Sequence, residues 1–129
     1  VERFLTSLLE KKDNDFGQRR LQESISLINC NKGLVEVEKL AAKACWSRKQ
    51  FERNFQELVG TSPKQFMRVV RFQNTLCFRG KNNHLSLTEL AYECGFFDQS
   101  HMIADFRYLS GKTPGQYFAE CEPVSDYFD

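Results

Sequence analysis

Hydrophobic positions along this chain recur at helical rather than strand spacing. Phe4, Leu5, Leu8 and Leu9 cluster ahead of Glu10-Lys11-Lys12, the pattern of a short amphipathic helix. Asp13-Asn14-Asp15 reads as a break and N-cap. Leu21, Ile25 and Ile28 then fall at i, i+4 and i+7, predicting a second helix. Asn31-Lys32-Gly33 closes it, with Gly33 suited to the left-handed C-cap position. No run alternates apolar and polar residues with β-branched enrichment, so strands are not expected and the fold class is all-α.

From residue 40 onward the sequence repeats itself. Leu40-Ala41 returns as Leu90-Ala91, 50 positions later. Past the next turn the offset becomes 51, so that Phe55 matches Phe106, Gly60 matches Gly111, Pro63 matches Pro114, Gln65 matches Gln116 and Phe66 matches Tyr117. Matches held in one register with a single added residue indicate internal duplication. Each copy carries its own helix punctuation. Ser47-x-x-Gln50 is a capping box opening a helix that holds Phe51, Phe55 and Leu58 and ends at Gly60. Ser62-Pro63-Lys64-Gln65 and Thr113-Pro114-Gly115-Gln116 each supply an N-cap, a proline at the first helical position and a glutamine three residues after the cap. Ser86-x-x-Glu89 caps the helix ahead of Leu90-Ala91.

The pattern predicts two helix-turn-helix subdomains in tandem, homeodomain-like, joined by a long linker helix. The expected boundaries are a helical tail at 1–14, a first subdomain at 15–62, the linker helix at 63–80, a second subdomain at 81–121 and a tail at 122–129. A linker of some 17 residues gives a rod of roughly 25 Å. A rod of that order would hold two recognition helices about one turn of DNA apart.

In the first subdomain, residues 37–44 form a short helix, Cys45-Trp46 the turn, and 47–59 the second helix. With Phe51, Phe55 and Leu58 turned inward against Leu40 and Ala41, the outward face presents Arg48, Lys49, Glu52, Arg53 and Gln56. Those side chains suit base edges in a major groove: Arg and Lys for guanine, Glu for the cytosine amine, Gln for adenine. In the second copy, 98–109 is the corresponding helix, with Met102, Phe106 and Leu109 inward. Its outward residues are Gln99, Ser100, Ile103, Ala104 and Arg107, of which Gln99 and Ser100 can hydrogen-bond bases and Ile103 or Ala104 can meet a thymine methyl. Ser47, Lys64 and Lys112, at or near helix starts, are the expected phosphate contacts. Asp98, Asp105, Glu89 and Glu93 surround the second helix with negative charge, so the first helix is expected to dominate.

Charge sharpens this asymmetry. The whole chain is only +1, yet residues 35–81 hold ten Lys/Arg against four Asp/Glu, and residues 82–129 hold two against eight. A basic middle attracts a phosphate backbone; the acidic end does not. The five cysteines, Cys30, Cys45, Cys77, Cys94 and Cys121, form no CxxC pair and each lies in or beside an apolar stretch. They are read as buried thiols in a reducing cytoplasm, with no metal site. No apolar run approaches ~18 residues, so no membrane span is expected. The chain opens at Val1 without a signal-peptide pattern and reads as a piece of a longer protein.

These residues resemble the AraC/XylS family of bacterial transcription regulators. The segments that carry the likeness are Leu40-Ala41, Ser47 through Phe55, Gly60 through Phe66 and Arg71. In the second copy they are Leu90 through Ser100, Phe106, Gly111, Thr113-Pro114 and Tyr117. The resemblance covers roughly residues 20–118 and implies a C-terminal DNA-binding domain of two helix-turn-helix units joined by a long helix. It assigns base contacts to Lys49, Glu52 and Arg53, and to Gln99, Ser100, Ile103 and Ala104. It also implies a separate effector-sensing or dimerisation domain in the same polypeptide. Three positions depart from the family pattern. Cys45 stands where a turn glycine is common, implying mild backbone strain. Glu36 replaces the usual Ser or Thr N-cap, and Ala104 replaces a frequent Arg.

Two other functions are weaker readings of the same residues. The acidic second half suits a protein partner such as an RNA polymerase subunit. Catalysis has no convergent nucleophile and base: His84 and His101 are the only histidines, at no metal-ligand spacing, so neither an enzyme nor a cofactor is expected.

Overall fold

The computed structural model describes the backbone of residues 2–126 and the surroundings of side chains from Phe16 to Cys121. Among these residues the chain is helical throughout, with no strand. Its elements are α1 (Glu2–Cys30), α2 (Val37–Lys43), α3 (Arg48–Val59), α4 (Pro63–Lys81), α5 (Leu87–Glu93), α6 (Gln99–Ser110) and α7 (Pro114–Asp126). The apolar cluster Phe4, Leu5, Leu8 and Leu9 and the tail 122–129 lie outside the described side chains.

Two expectations about helix ends are corrected. Asp13-Asn14-Asp15 does not break the chain: α1 runs through it without interruption. Asp and Asn in a helix interior cost only about 0.7 kcal/mol each, and neither removes a backbone donor as proline would. Gly80 does not close α4, which continues to Lys81; Asn82 follows, its side-chain amide donating to the Phe78 carbonyl at 3.1 Å. The stop at residues 31–33 is as expected, with Lys32 (φ 57°) and Gly33 (φ 80°) both left-handed and Gly33 N donating to the Ile28 carbonyl at 2.8 Å.

The chain divides into two compact units, residues 1–70 and 71–129. In the first, Leu21, Ile28, Val37, Leu40, Ala41, Ala44, Phe51, Phe55 and Met67 form one buried core. Phe66 and Val70, from the first half of α4, pack against it. In the second, Leu90, Ala91, Cys94, Phe96, Met102, Phe106 and Phe118 form the core, with Phe72, Leu76 and Phe78 from the second half of α4. A single helix thus supplies core residues to both units.

The duplication reaches further back than Leu40. Arg20 lies over the Trp46 ring at 5.4 Å, and Arg71, 51 residues on, lies over Phe96 at 5.4 Å. Buried Ser24 bonds the Arg20 carbonyl at 3.0 Å, as buried Thr75 bonds the Arg71 carbonyl at 2.7 Å. Trp46 N donates to Ala41 O and Phe96 N to Ala91 O, both at 3.0 Å. Phe55 meets Phe66 edge-on at 5.6 Å, and Phe106 meets Tyr117 edge-on at 6.0 Å. The second half of α1 is therefore the counterpart of the second half of α4, and the start of α4 is the counterpart of the start of α7. Trp46 matches Phe96 at offset 50 and Ser47 matches Asp98 at 51, so the added residue is Phe97.

Several packing expectations fail. Leu58 is 45% exposed although it shares a helical face with Phe51 and Phe55. It sits on the last turn of α3, where it lines an open surface hollow with Gly17, Leu21 and Trp46. Of the five cysteines only Cys94 is buried; Cys30, Cys45, Cys77 and Cys121 are exposed. Cys30 and Cys77 each follow a buried residue, Ile28 and Thr75, by two positions. Two positions on a helix turn the side chain through about 200°, to the opposite side.

Cys45 adopts φ +60°, the conformation its counterpart Gly95 takes at φ +81°. A β-carbon in that region costs about 1 kcal/mol or more. Cys45→Gly is expected to raise the unfolding free energy by about 1 kcal/mol in urea titration followed by circular dichroism; an unchanged or lower midpoint would contradict the strain.

Candidate nucleic-acid interface

Each unit holds its recognition helix by the inner face and leaves the outer face exposed. In α3, Ser47 (φ −66°, ψ 160°) caps the helix by accepting from Gln50 N at 3.2 Å, and Gly60 ends it at φ +89°. Phe51 and Phe55 are wholly buried, and the rings of Trp46, Phe51, Phe55 and Phe66 follow one another at 5.6–6.4 Å. This aromatic run leaves Arg48, Lys49, Arg53 and Gln56 exposed and Glu52 half-buried on the opposite side.

The five outward residues of α3 are not equivalent. Arg48 Nε donates to Glu52 Oε1 at 2.8 Å, and the same guanidinium pairs with Glu38 on α2. Both carboxylates hold its pKa above the ordinary arginine value, the Glu52 hydrogen bond most strongly and then the Glu38 charge, with burial opposing. Arg48 therefore reaches DNA only by exchanging carboxylates for phosphate or a base. The exchange is cheap, because exposed ion pairs contribute little. Lys49, Arg53 and Gln56 carry the remaining outward chemistry of α3. The pairing of Arg48 with Glu38 spans two helices and has no signal in local spacing.

In α6 the cap is Asp98, whose carboxylate accepts from His101 N at 2.8 Å, and Gly111 ends the helix at φ +76°. Met102 and Phe106 are wholly buried as expected, and Leu109 is half-buried. Ser100, Ala104 and Arg107 are exposed; Gln99 and Ile103 are half-buried. The Gln99 side-chain carbonyl accepts from Thr88 Oγ at 2.9 Å. A bidentate match to adenine needs both ends of that amide, so Gln99 must release Thr88 to make one. One expectation about charge is corrected here. Asp105 does not contribute to a negative surface: it is 3% exposed, turned inward toward Arg71 and His101. Glu89, Glu93 and Asp98 are exposed.

Among the phosphate candidates, Ser47 and Lys64 are exposed at the starts of α3 and α4. Lys112 is half-buried and paired with Glu120 of α7, a hydrogen bond that raises its pKa, so a phosphate there competes with a carboxylate. Glu36 makes no side-chain cap at the start of α2, in keeping with the missing Ser or Thr. No group of three or more His, Cys, Asp or Glu is placed to hold a metal among the described residues. No helix there is long and apolar enough to cross a membrane.

A helix-turn-helix domain family matches residues 40–120, from α2 into α7. The chain belongs to the AraC/XylS family of transcription regulators. It is 35% identical over 81 residues to a helix-turn-helix-type transcriptional regulator of Haemophilus influenzae, covering 63% of this chain and 27% of that protein. It is 31% identical over 101 residues to the transcriptional regulator GbdR of Pseudomonas aeruginosa, covering 75% of this chain and 26% of GbdR. The chain thus spans about a quarter of the length of these relatives. Among solved structures it is similar to the DNA-binding domain of the global transcriptional factor AdpA in complex with a target DNA. That likeness has TM-score 0.64 and 30% identity, over 78% of this chain and 90% of that one. It is also similar to an AraC-type regulator from Chromobacterium violaceum, with TM-score 0.68 and 25% identity, over 80% of this chain and 92% of that one.

Because Glu38 pairs with Arg48 and sets a negative charge beside the outward face of α3, Glu38→Gln is expected to tighten duplex binding roughly two- to fivefold at low salt. The gain should fade as salt screens it. Fluorescence anisotropy at several salt concentrations measures this, and an affinity loss at low salt would contradict it.

Proposed function

We propose that this domain binds double-stranded DNA sequence-specifically to regulate transcription in a bacterium, with α3 as the principal reader and α6 as a second, more conditional one. The observation that carries the reading is the buried aromatic run behind α3, which leaves Arg48, Lys49, Arg53 and Gln56 exposed on one capped helix. Lys49, Glu52 and Arg53 are assigned to base edges, with Arg48 and Gln56 beside them. On α6 the assignment is Gln99, Ser100, Ile103 and Ala104, with Arg107 following. Ser47, Lys64 and Lys112 are assigned to phosphates. The two helices enter successive major grooves in this reading, as duplicated units suit.

The balance between helices follows from chemistry rather than position. Arg on α3 offers a bidentate donor pair to guanine O6 and N7, worth about 1–3 kcal/mol of discrimination against a wrong base. On α6 the corresponding surface is Ser100, Ile103 and Ala104, which offers a hydroxyl and apolar contact, and Gln99 has its carbonyl occupied by Thr88. The domain acts as a binding module of the cytoplasm rather than a catalyst, and it works with an effector-sensing or dimerisation domain of the same polypeptide.

A second reading concerns a protein partner, such as an RNA polymerase subunit. Phe97 is 93% exposed and Tyr92 81%, with Glu89, Glu93 and Asp98 also exposed in the same stretch. Aromatic side chains amid carboxylates suit a basic protein surface. A partner that stays bound when Arg48, Lys49 and Arg53 are all replaced would support it.

Selection of bound sequences from a random duplex pool, followed by binding across a salt series, tests the main reading. A recovered motif whose affinity falls steeply with salt is expected. Absent or salt-independent binding to every duplex would contradict it. Arg53→Ala should weaken binding to the selected duplex about tenfold or more, and Arg107→Ala much less. Equal losses would overturn the ranking of the two helices.

A further inference from the structure

The two units solve the same packing problem with different chemistry at three matched positions. In the first unit, Arg20 of α1 stacks on Trp46, and the α3 positions nearby are Gln50 and Asn54. In the second, Arg71 of α4 stacks on Phe96, and the positions 51 residues beyond Gln50 and Asn54 are His101 and Asp105. Two neutral amides in one copy are thus an imidazole and a carboxylate in the other. The carboxylate is buried: the Asp105 side chain is 5% exposed, with Arg71 Nε at 3.7 Å and His101 Nε2 at 3.8 Å from its Oδ2.

The contacts form a chain that ends at the turn. Phe97, the residue that the second unit adds to its turn, donates its backbone N–H to His101 Nδ1 at 3.3 Å. The other ring nitrogen, Nε2, is the one that faces Asp105. His101 lies in the first turn of α6, where its own N–H donates to Asp98. Its ring also lies nearly perpendicular to that of Phe96, with centroids 5.3 Å apart. Turn, recognition helix and α4 are therefore linked through one buried carboxylate: Phe97 to His101, His101 to Asp105, Asp105 to Arg71, and Arg71 back onto Phe96. A buried acid persists only when such partners compensate it, and a set of this kind has one favoured arrangement.

We propose that Asp105 is a positioning residue for the second recognition helix, holding through Arg71 and His101 the longer turn and the first turn of α6 in the pose that presents Gln99, Ser100 and Ile103 to DNA. Asp105 touches no DNA itself. The first unit, with a turn one residue shorter, presents α3 without a carboxylate at this place. The proposal rests on the reading that α6 contacts a second half-site.

The test uses this domain and its selected duplex, in three forms: intact, with the half-site assigned to α3 scrambled, and with the half-site assigned to α6 scrambled. Asp105→Asn and His101→Gln install the residues that the first unit carries at the same positions, so each change has a precedent within this fold. Both are expected to weaken binding to the intact duplex by about fivefold, and to leave binding to the duplex lacking the α6 half-site within about twofold of wild type. Amide hydrogen exchange of the free protein should quicken at residues 97–103 and stay unchanged in α3 and α7. Should Asp105→Asn fail to fold, His101→Gln at its half-exposed position carries the same comparison.

Equal losses on all three duplexes, or exchange that quickens evenly across α5, α6 and α7, would make Asp105 a general stability residue and overturn the proposal. Unchanged binding by both variants, with Gln99→Ala still weakening the intact duplex, would overturn the positioning role while leaving α6 as a reader. A scrambled α6 half-site that costs wild type nothing would instead overturn the reading on which the proposal rests, and the proposal with it.

Discussion

Each recognition helix has to be gripped firmly on one side and left uncommitted on the other. The grip is aromatic. Phe55 meets Phe66 at 5.6 Å edge-on, and Phe106 meets Phe72, Tyr117 and Phe118 at 4.8–6.0 Å. Phe51, Phe55, Met102 and Phe106 are wholly buried. Truncating a buried Phe costs about 3–5 kcal/mol, against a typical domain stability of about 5–15 kcal/mol. Everything outside the grip depends on it. The caps at Ser47 and Asp98 and the left-handed exits at Gly60 and Gly111 only set where the gripped helix begins and ends.

The helix that follows each recognition helix is part of the grip. Ser62 and Thr113 accept from Gln65 N and Gln116 N, each at 3.2 Å, and Gln116 returns a carbonyl to Thr113 N at 3.1 Å. These caps fix where α4 and α7 start, and so where Phe66 and Tyr117 meet the phenylalanine before them. The second half of α4 then does for unit two what the second half of α1 does for unit one: an arginine laid on the turn aromatic, and a buried hydroxyl bonded one turn back. A repeat built this way tolerates divergence on its outer faces, because the inner faces alone carry the packing. That freedom accounts for a basic, donor-rich α3 and an α6 of Ser100, Ile103 and Ala104 within one architecture.

Much of this was legible in the sequence, because caps, glycine exits and aromatic spacing are local signals. The helices at 47–59 and 98–109 were readable from short-range chemistry, and the strained turn at Cys45 and the uncapped Glu36 from their departure from the family pattern. What was not readable depends on neighbours distant in the chain. Leu58 has the right helical phase for burial, yet it stays 45% exposed on the last turn of α3. Asp105 looks like a surface charge until Arg71 is placed against it. Arg48 looks free until Glu38 reaches it from α2. The cysteines misled for a different reason: an apolar stretch of sequence surrounds a helical residue on all sides, whereas burial selects one face. The earlier half of the repeat has no plain sequence signal because its shared residues, Arg20 with Arg71 and Ser24 with Thr75, are polar, and their likeness lies in what they touch.

The most direct measurement of the central claim is amide chemical-shift mapping of the domain as its selected duplex is added. The largest changes are expected over residues 47–56 of α3 and its cap, with smaller changes over 98–104 of α6. Changes centred on other helices, with both of these segments unmoved, would contradict the account.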